Sequence, residues 1–378
     1  MTKARELAKL GEVLTNSQIG GRRNIAYNGA MQISQRGTQT GQGGGEAMSA
    51  VDRFKVFGGG GTSGRLTSSQ DSDAPVGFAN SLKLDCTTAD TSIASGEFLL
   101  LEQRIEGQDL QQLKYNQSTA QTTTLSFYVK GNASAQYTFA LQYHLSGGTA
   151  RWFTKGFAVT TSWTQVTIEI PGDTQASSGS DYGIADNNGT GANIMFWLHG
   201  GTNFSSGTHQ DTAWADRDYT KLFQDNQTSF YDSTDRTFFI TGVQFEIGKA
   251  TPFEHRSFGE ELILCKRYTE VFRWDDTTNA LMVFGYWTST TTSEHVLYSQ
   301  VEMRTVPSFS FSNATDFDVL EPQTAFRDTT AISTNERSRF STKFTATSGS
   351  TAGFGDGRRS ALLRADTTNA FMMFDAEL

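Results

Sequence analysis

The chain has 378 residues, and its charged residues, 19% of the total, sum to a formal net charge of −9. That balance offers no basic surface to track a phosphate backbone, which excludes nucleic acid as the main partner. Apolar residues reach only 37%, and small polar residues stand in their place beside 28 Phe, 11 Tyr and 6 Trp, a mixture that suits half-buried pleated surfaces joined by tight turns.

A length of this order points to two or three domains. Cys86 and Cys265 are too few for a disulfide framework, and no CxxC occurs. The N-terminal MTKARELAKL lacks the apolar run of a secretion signal, and no stretch approaches a membrane span. The expectation is synthesis in a reducing cytosol without membrane insertion. Six N-x-[ST] sequons, at Asn116, Asn132, Asn188, Asn203, Asn226 and Asn313, are then by-products of Asn, Ser and Thr richness.

Residues 2–14 have helical periodicity, with Ala4, Leu7, Leu10 and Leu14 on one face and Lys3, Glu6 and Lys9 elsewhere. So short a helix is marginal alone in water. It needs a partner, whether another copy of itself, another protein or its own domain, and residues 1–23 are assigned as an N-terminal helix and anchor. The stretch NIAYNGAMQISQRGT, Asn24 to Thr38, alternates at Ile25, Tyr27, Met31 and Ile33. It is predicted as the first strand of a β domain, paired with that domain's last strand because domain ends tend to meet.

Two glycine-rich segments, residues 39–45 and 57–64, read as slack. The second has the glycine spacing of a phosphate loop at Gly59 and Gly64, but Arg65-Leu66 stand where Lys-[Ser/Thr] is required. Without the lysine and hydroxyl, phosphate and magnesium have no ligands.

From 80 to 250 the period is two. Leu82 and Leu84 alternate, then Leu125, Phe127 and Val129, then Tyr137, Phe139, Leu141 and Tyr143. Val166, Ile168 and Ile170 follow, then Ile194, Phe196 and Leu198, and Val243, Phe245 and Ile247 close the set. Short strands with one apolar face and turn punctuation predict a β-sandwich over 24–256. Two connections within it are long, 172–191 and 200–235, and long loops are usually functional or disordered.

SFGEELILCKRYTEVFRW at 257–274 then places Leu262, Cys265, Tyr268 and Phe272 at helical spacing, with Ser257 and Glu260 as a capping box. It is predicted as a linking helix. Alternation returns over 275–378, predicted as a smaller C-terminal β domain. The fold class is thus mostly β, with a short N-terminal helix, a sandwich, a short helix and a second β domain.

The five histidines are dispersed, HExxH and GxSxG are absent, and Cys265 on an apolar helix face reads as a small buried hydrophobe. No cofactor or metal ligand set is expected, although an Asp/Asn loop leaves calcium open. A glycosidase pair meets in space rather than along the chain, but no carboxylate stands out by context, and no catalytic residue is assigned. Aromatic stacking on sugar rings is the better chemistry, because an aromatic face matches the CH face of a pyranose while neighbouring polar groups bond its hydroxyls. The candidate glycan-binding residues are Trp152, Tyr182, Trp214, Asp216 and Tyr219. The alternative, that the tryptophans plug the core or a subunit interface, is preferred for Trp163 and Trp197 and, by a narrower margin, for Trp214.

Several stretches come in an order that resembles a known family. They are NIAYNGAMQISQRGT, VDRF (51–54), GFANSLKL (77–84), QRIEGQDLQQLKY (103–115), LSFYVKG, SWTQVTIEIPGD (162–173) and FFITGVQFEIGKATPFEHRSFGEELILCKRY (238–268). Met303-Arg304 with Pro307, and the ending DAEL, continue it. Together they resemble the structural fibre or tail proteins of tailed bacteriophages. That resemblance implies a carbohydrate-binding-module-like jelly roll in a virion structural protein, a short homotrimeric fibre on the virion exterior, assembled in the host cytoplasm. It implies attachment to other virion proteins through the N-terminal helix and host surface polysaccharide as a further partner. The family brings no catalytic residues. A capsid decoration or joining protein without a receptor is the alternative, and a polysaccharide depolymerase a further one.

Overall fold

A computed structural model describes residues 23–145, 150–174, 183–224, 226–273, 283–320, 326–350 and 359–378. The expected N-terminal helix, with Ala4, Leu7, Leu10 and Leu14, lies outside the described residues, as does Tyr182. The chain divides into two units, Met1–Ser257 and Phe258–Leu378.

The period-two segments of the first unit form strands. In chain order they are β1 (Gln39–Gln42), β2 (Glu46–Met48), β3 (Lys55–Gly59), β4 (Arg65–Asp71), β5 (Ser81–Thr88) and β6 (Phe98–Glu106). There follow β7 (Thr123–Gly131), β8 (Ala135–His144), β9 (Ala150–Val159), β10 (Thr164–Ile170), β11 (Thr190–Gly200), β12 (Ala215–Asp216) and β13 (Thr237–Ile247). They build a six-stranded sheet, β1-β4-β5-β13-β7-β10, and a seven-stranded sheet, β12-β9-β8-β11-β6-β3-β2. The pairings are antiparallel. Side chains from both sheets share one core, among them Leu125, Phe127, Phe139, Phe196, Phe238 and Phe245. Phe127 is fully buried, with the rings of Phe157 and Phe196 edge-on at 5.3 and 5.0 Å. The unit is a β-sandwich.

The segment predicted as the first strand is not one. Residues 24–38 are largely buried but irregular, with Asn28 and Met31 at positive φ of 53° and 55°. A left-handed residue ends a ladder, and Asn tolerates it because its short amide bonds local backbone. The Asn28 amide donates to the carbonyls of Ile33 and Asp52 at 2.8 and 3.0 Å and accepts from Ile33 N at 3.0 Å. The expected neighbour is nevertheless present: Ile25 N donates to Phe245 O of β13 at 2.8 Å, and Val243 N to Gly29 O at 2.9 Å. Glu254 accepts from Arg23 N and Asn24 N at 3.2 and 2.9 Å, while Arg256 donates to Ala26 O at 3.2 Å. The PFEHR stretch is therefore the clamp on the entering chain.

The glycine segments are not slack either. Gln39–Gln42 is β1, and Gly58 and Gly59 lie in β3. Gly60 then turns at φ 73°, where a Cβ would sit 1.9 Å from Gly96 O, and only glycine fits so close a backbone approach.

In the second unit, helix α1 (Phe258–Lys266) is shorter than predicted. Tyr268 N closes on Cys265 O at 2.9 Å, and the chain turns into β14 (Thr269–Arg273). β-branched and aromatic residues with a strand beside them override a helical spacing. The remaining strands are β15 (Val283–Trp287), β16 (Thr292–Tyr298), β17 (Ser308–Phe311), β18 (Phe317–Leu320), β19 (Phe326–Arg337), β20 (Ser341–Ser348), β21 (Ser360–Ala365) and β22 (Phe371–Asp375). β14-β22-β17 form a small sheet, and β15-β16-β20-β19-β18-β21 close into a barrel. The core of this unit includes Trp287, Phe317, Phe344 and Leu363 of the barrel with Met372 and Phe374 of β22. Cys86 and Cys265 are both buried thiols.

Candidate functional site

Because strand side chains alternate, the seven-stranded sheet has a second face turned away from the core. The register lays that face out in rows. Trp152, Gln142, Asn193 and Arg104 are opposite one another across β9, β8, β11 and β6. Thr154, Ala140, Met195, Glu102 and Lys55 form the next row, and Thr138, Trp197, Leu100 and Phe57 the third. Polar side chains dominate the first row, with Trp152 at its end, and aromatic ones gather in the third.

The 200–235 connection walls this face. Its two short 3-10 turns, Thr202–Phe204 and Tyr219–Lys221, bring Phe204 and Tyr219 over the sheet, and Phe223 is stitched to Phe204 by a backbone bond of 3.0 Å. The result is a cleft of about 480 Å³ lined by Phe57, Phe98, Trp152, Trp197, Phe204 and Tyr219, among others. That volume is ordinary for a small-molecule site.

The aromatics are locked edge to face. Tyr219 stands at 85° to Trp152 with centroids 5.2 Å apart, and Phe98 packs on Phe57 at 5.0 Å and 87°. Trp152 and Trp197 are buried as the floor, whereas Tyr219 is 43% exposed. Tyr219 is therefore the ring that offers area to a visitor. Among the described residues, both indole N–H groups, of Trp152 and Trp197, meet no hydrogen-bond acceptor.

The polar side is a continuous network. Asn193 Nδ2 donates to Glu102 Oε2 at 3.1 Å, and its Oδ1 lies 3.1 Å from His144 Nε2, which is also 3.0 Å from the Gln142 amide. Arg104 lies 2.7 Å from Glu102 and 2.9 Å from Glu46, and Lys55 is 3.0 Å from Glu46. Burial pushes the Glu102 carboxyl up, against the pull of Arg104 and Lys55. Burial also works against the Arg104 charge, but Glu102 and Glu46 outweigh it and hold arginine above its ordinary value. Burial likewise lowers His144, so it is neutral near pH 7. The network presents amide and guanidinium donors held in fixed positions, a proper lining for hydroxyl recognition.

Of the residues singled out from sequence, Trp152 and Tyr219 line the cleft together. Trp214 does not. It stacks on Tyr143 at 4.6 Å and 16°, donates its N–H to Pro171 O at 2.6 Å, and packs against the sandwich core. Asp216 is bound to Arg151 at 2.9 Å and borders a separate recess of about 20 Å³, room for about one water. Trp197, read from sequence as a core plug, is buried but on the cleft side. Trp163 donates to Asp73 at 2.9 Å, away from the cleft. Phe57, Phe98, Phe204, Glu102, Asn193 and Arg217 were missed.

Among the described residues no group of three His, Cys, Asp or Glu side chains gathers as a metal would require. Among them, too, no helix is long and apolar enough to cross a membrane.

By sequence the chain matches no family model and no curated protein. Among solved structures it is similar to the enzymatically active domain of tailspike protein 4 of bacteriophage CBA120, at 12% identity and a TM-score of 0.29, over 60% of this chain and 21% of that one. It is similar to a carbohydrate-binding module, CBM4, at 12% identity and 0.30, over 59% of this chain and 99% of that one. It is also similar to the CBM22-1 xylan-binding domain from Paenibacillus barcinonensis Xyn10C, at 11% identity and 0.27, over 61% and 100%. Likeness at this level assigns neither ligand nor residue role to this chain.

Proposed function

We propose that the protein binds carbohydrate in the cleft of the seven-stranded sheet, and does so as a non-catalytic outer component of a phage particle. The observation that carries the binding reading is the cleft's division. Apolar rings sit on one side, and a network of amides and a guanidinium sits on the other, within about 480 Å³. A pyranose has that same division, with apolar CH faces and equatorial hydroxyls, and a saccharide entering the cleft satisfies both sides at once.

Binding without cleavage is supported by the carboxylates. Hydrolysis of a glycosidic bond uses two of them flanking the bond. Among the described residues that line the cleft, Glu102 is the single carboxylate, and it is engaged by Asn193 and Arg104. The placement on a virion exterior, as a homotrimer assembled in a host cytoplasm and joined to its particle by residues 1–23, rests on the ordered stretches of sequence that resemble phage fibre proteins. The second unit adds one support for self-association, an outward row of Phe284, Tyr286, Val296 and Tyr298 that water leaves unfavourably exposed.

The test is a glycan array probed with the full chain, followed by calorimetry on the hits. Tyr219→Ala is expected to weaken binding about fivefold, since a ring stacked on a sugar contributes on the order of 1 kcal/mol. Asn193→Ala is expected to do at least as much by unlinking the polar network. An array without a hit overturns the reading.

A further inference from the structure

Among the described residues, most cations on and around the seven-stranded sheet are matched by carboxylates. Arg104 has Glu102, Lys55 has Glu46, Arg151 has Asp173, Lys155 has Asp211 and Lys221 has Asp218, at 2.7 to 3.1 Å. Arg217 lines the cleft and, among the described residues, faces no carboxylate. Its two sequence neighbours are acids, but both are committed elsewhere. Asp216 is held by Arg151 at 2.9 Å, and Asp218 is taken by Lys221 and by Thr220, whose hydroxyl donates to it at 2.7 Å.

The guanidinium of Arg217 is nevertheless placed. Its backbone N–H donates to Ala150 O at 3.1 Å, at the start of β9, which fixes the rim of the cleft. Its guanidinium carbon lies 5.2 Å from the Tyr219 ring centroid. Tyr219 is the exposed ring of the cleft, so cation and stacking surface are presented side by side. A cation on an aromatic face keeps its fork of N–H donors free for a planar anion. In a chain of net charge −9, a positioned cation left without an acid at the mouth of a binding cleft is the unbalanced element of that site.

We infer that the cleft takes an anionic glycan, one whose sugar residue carries a carboxylate or phosphate, with Arg217 as the residue that selects the charge while Tyr219 stacks on the ring. This rests on the carbohydrate reading above and narrows its substrate class. Arg104 does not serve in its place, because two carboxylates already hold it. Glu102 is no obstacle on the floor, since Arg104 lies against it. The protein's overall negative charge acts weakly across the distance, since at physiological ionic strength charges are screened within about 8 Å. The near pair decides.

The experiment uses the full chain on an array holding neutral, uronate-bearing and phosphate-bearing glycans. Each acidic hit is measured again by calorimetry after carboxyl reduction or after phosphatase treatment, which separates the two anion sources. Wild type, Arg217→Gln and Arg217→Lys are compared at low and high salt. The expected result is binding confined to acid-bearing glycans and lost on removing the acid. Arg217→Gln weakens it about tenfold, the worth of one charge-assisted hydrogen bond at an exposed site, and Arg217→Lys by less. Salt weakens the wild type and leaves Arg217→Gln nearly flat. Arg217 is exposed, so an unchanged melting curve shows that the variants fold. Binding of neutral glycans that ignores both salt and Arg217→Gln overturns this inference and leaves the carbohydrate reading standing. No binding anywhere on the array overturns the carbohydrate reading, and this inference with it.

Discussion

The two units use aromatic residues in opposite ways. In the first, rings fill the space between two sheets and then floor a cleft on the outer face of one of them, so that exposed rings such as Tyr219 are few. In the second, a small barrel buries Trp287, Phe317 and Phe344, while Phe284 and Tyr298 remain outside at 75% and 67% exposure. The contrast follows from geometry. A sandwich offers two faces per sheet, and a loop long enough to return can wall the second. A six-stranded barrel has an inside just large enough for its own side chains, and the other side of each strand faces outward.

The sharpest way to break this contrast is in the sandwich core. Phe127→Ala removes a ring enclosed by Phe157 and Phe196 and is expected to cost about 3–5 kcal/mol. Hydrogen exchange read by mass spectrometry is expected to show lost protection across β7, β8 and β11 and none across the barrel strands. Equal loss in both units means that they fold as one.

The next effect is acid sensitivity, and each unit has one fully buried histidine, with the partly buried His144 a further lowered one in the sandwich. His199 and His295 are fully buried and both are pushed down to about 4 by burial. A histidine whose folded pKa is depressed contributes stability that is complete above its unfolded value near 6.5 and is lost as pH falls toward 4. For His295, bonded to Val283 O and Ser293 at 3.0 and 2.9 Å, the loss is roughly 3 kcal/mol. In the sandwich, His199 has Glu97 at 3.6 Å, and burial, then Asp90, raises that carboxyl. A raised carboxyl acts in the opposite sense, since its ionised form costs stability near neutrality and the cost fades as pH falls. Both units are therefore expected to soften between pH 6.5 and 4, with the raised carboxyls of Glu97 in the sandwich and Asp318 in the barrel each offsetting part of the loss. Denaturation midpoints at several pH values check this, and His295→Gln is expected to flatten the barrel's slope alone.

The sandwich strands were legible because their core-facing residues alternate cleanly, as Leu125, Phe127 and Val129 do in β7. What hid the cleft was the other phase of the same strands. In β6 the outward set is Phe98, Leu100, Glu102 and Arg104, and in β11 it is Asn193, Met195 and Trp197. Apolar residues in both phases signal a strand covered on both faces, and that signal was present in the sequence. Trp214 and Asp216 drew attention because they sit in a polar loop, yet loop position says nothing of which way a side chain turns. The strand expected at 24–38 failed on Asn28 and Met31, whose left-handed backbone depends on the carbonyls that the Asn28 amide reaches. The helix expected to run to 274 failed because β22 was there to pair with Thr269–Arg273, a partner more than ninety residues away that no local spacing could announce.

The smallest effect on folding is the one that tests the barrel's outer face. Phe284 and Val296 lie on neighbouring strands, with Tyr286 and Tyr298 beside them, and Lys343 of β20 opposite Val296 borders the row. Replacing Phe284 and Tyr298 by Ser together is expected to change the barrel's stability by no more than about 0.5 kcal/mol, because solvent already covers both side chains. If copies of the chain meet through this row, the same double variant is expected to dissociate them, since a buried apolar row resembling half a core is what holds obligate assemblies together. Mass photometry at micromolar concentration separates the cases. A wild-type trimer that becomes monomeric in the variant assigns the face to the assembly. A trimer that survives the variant builds its interface elsewhere, and a wild-type monomer ends the homotrimer reading altogether.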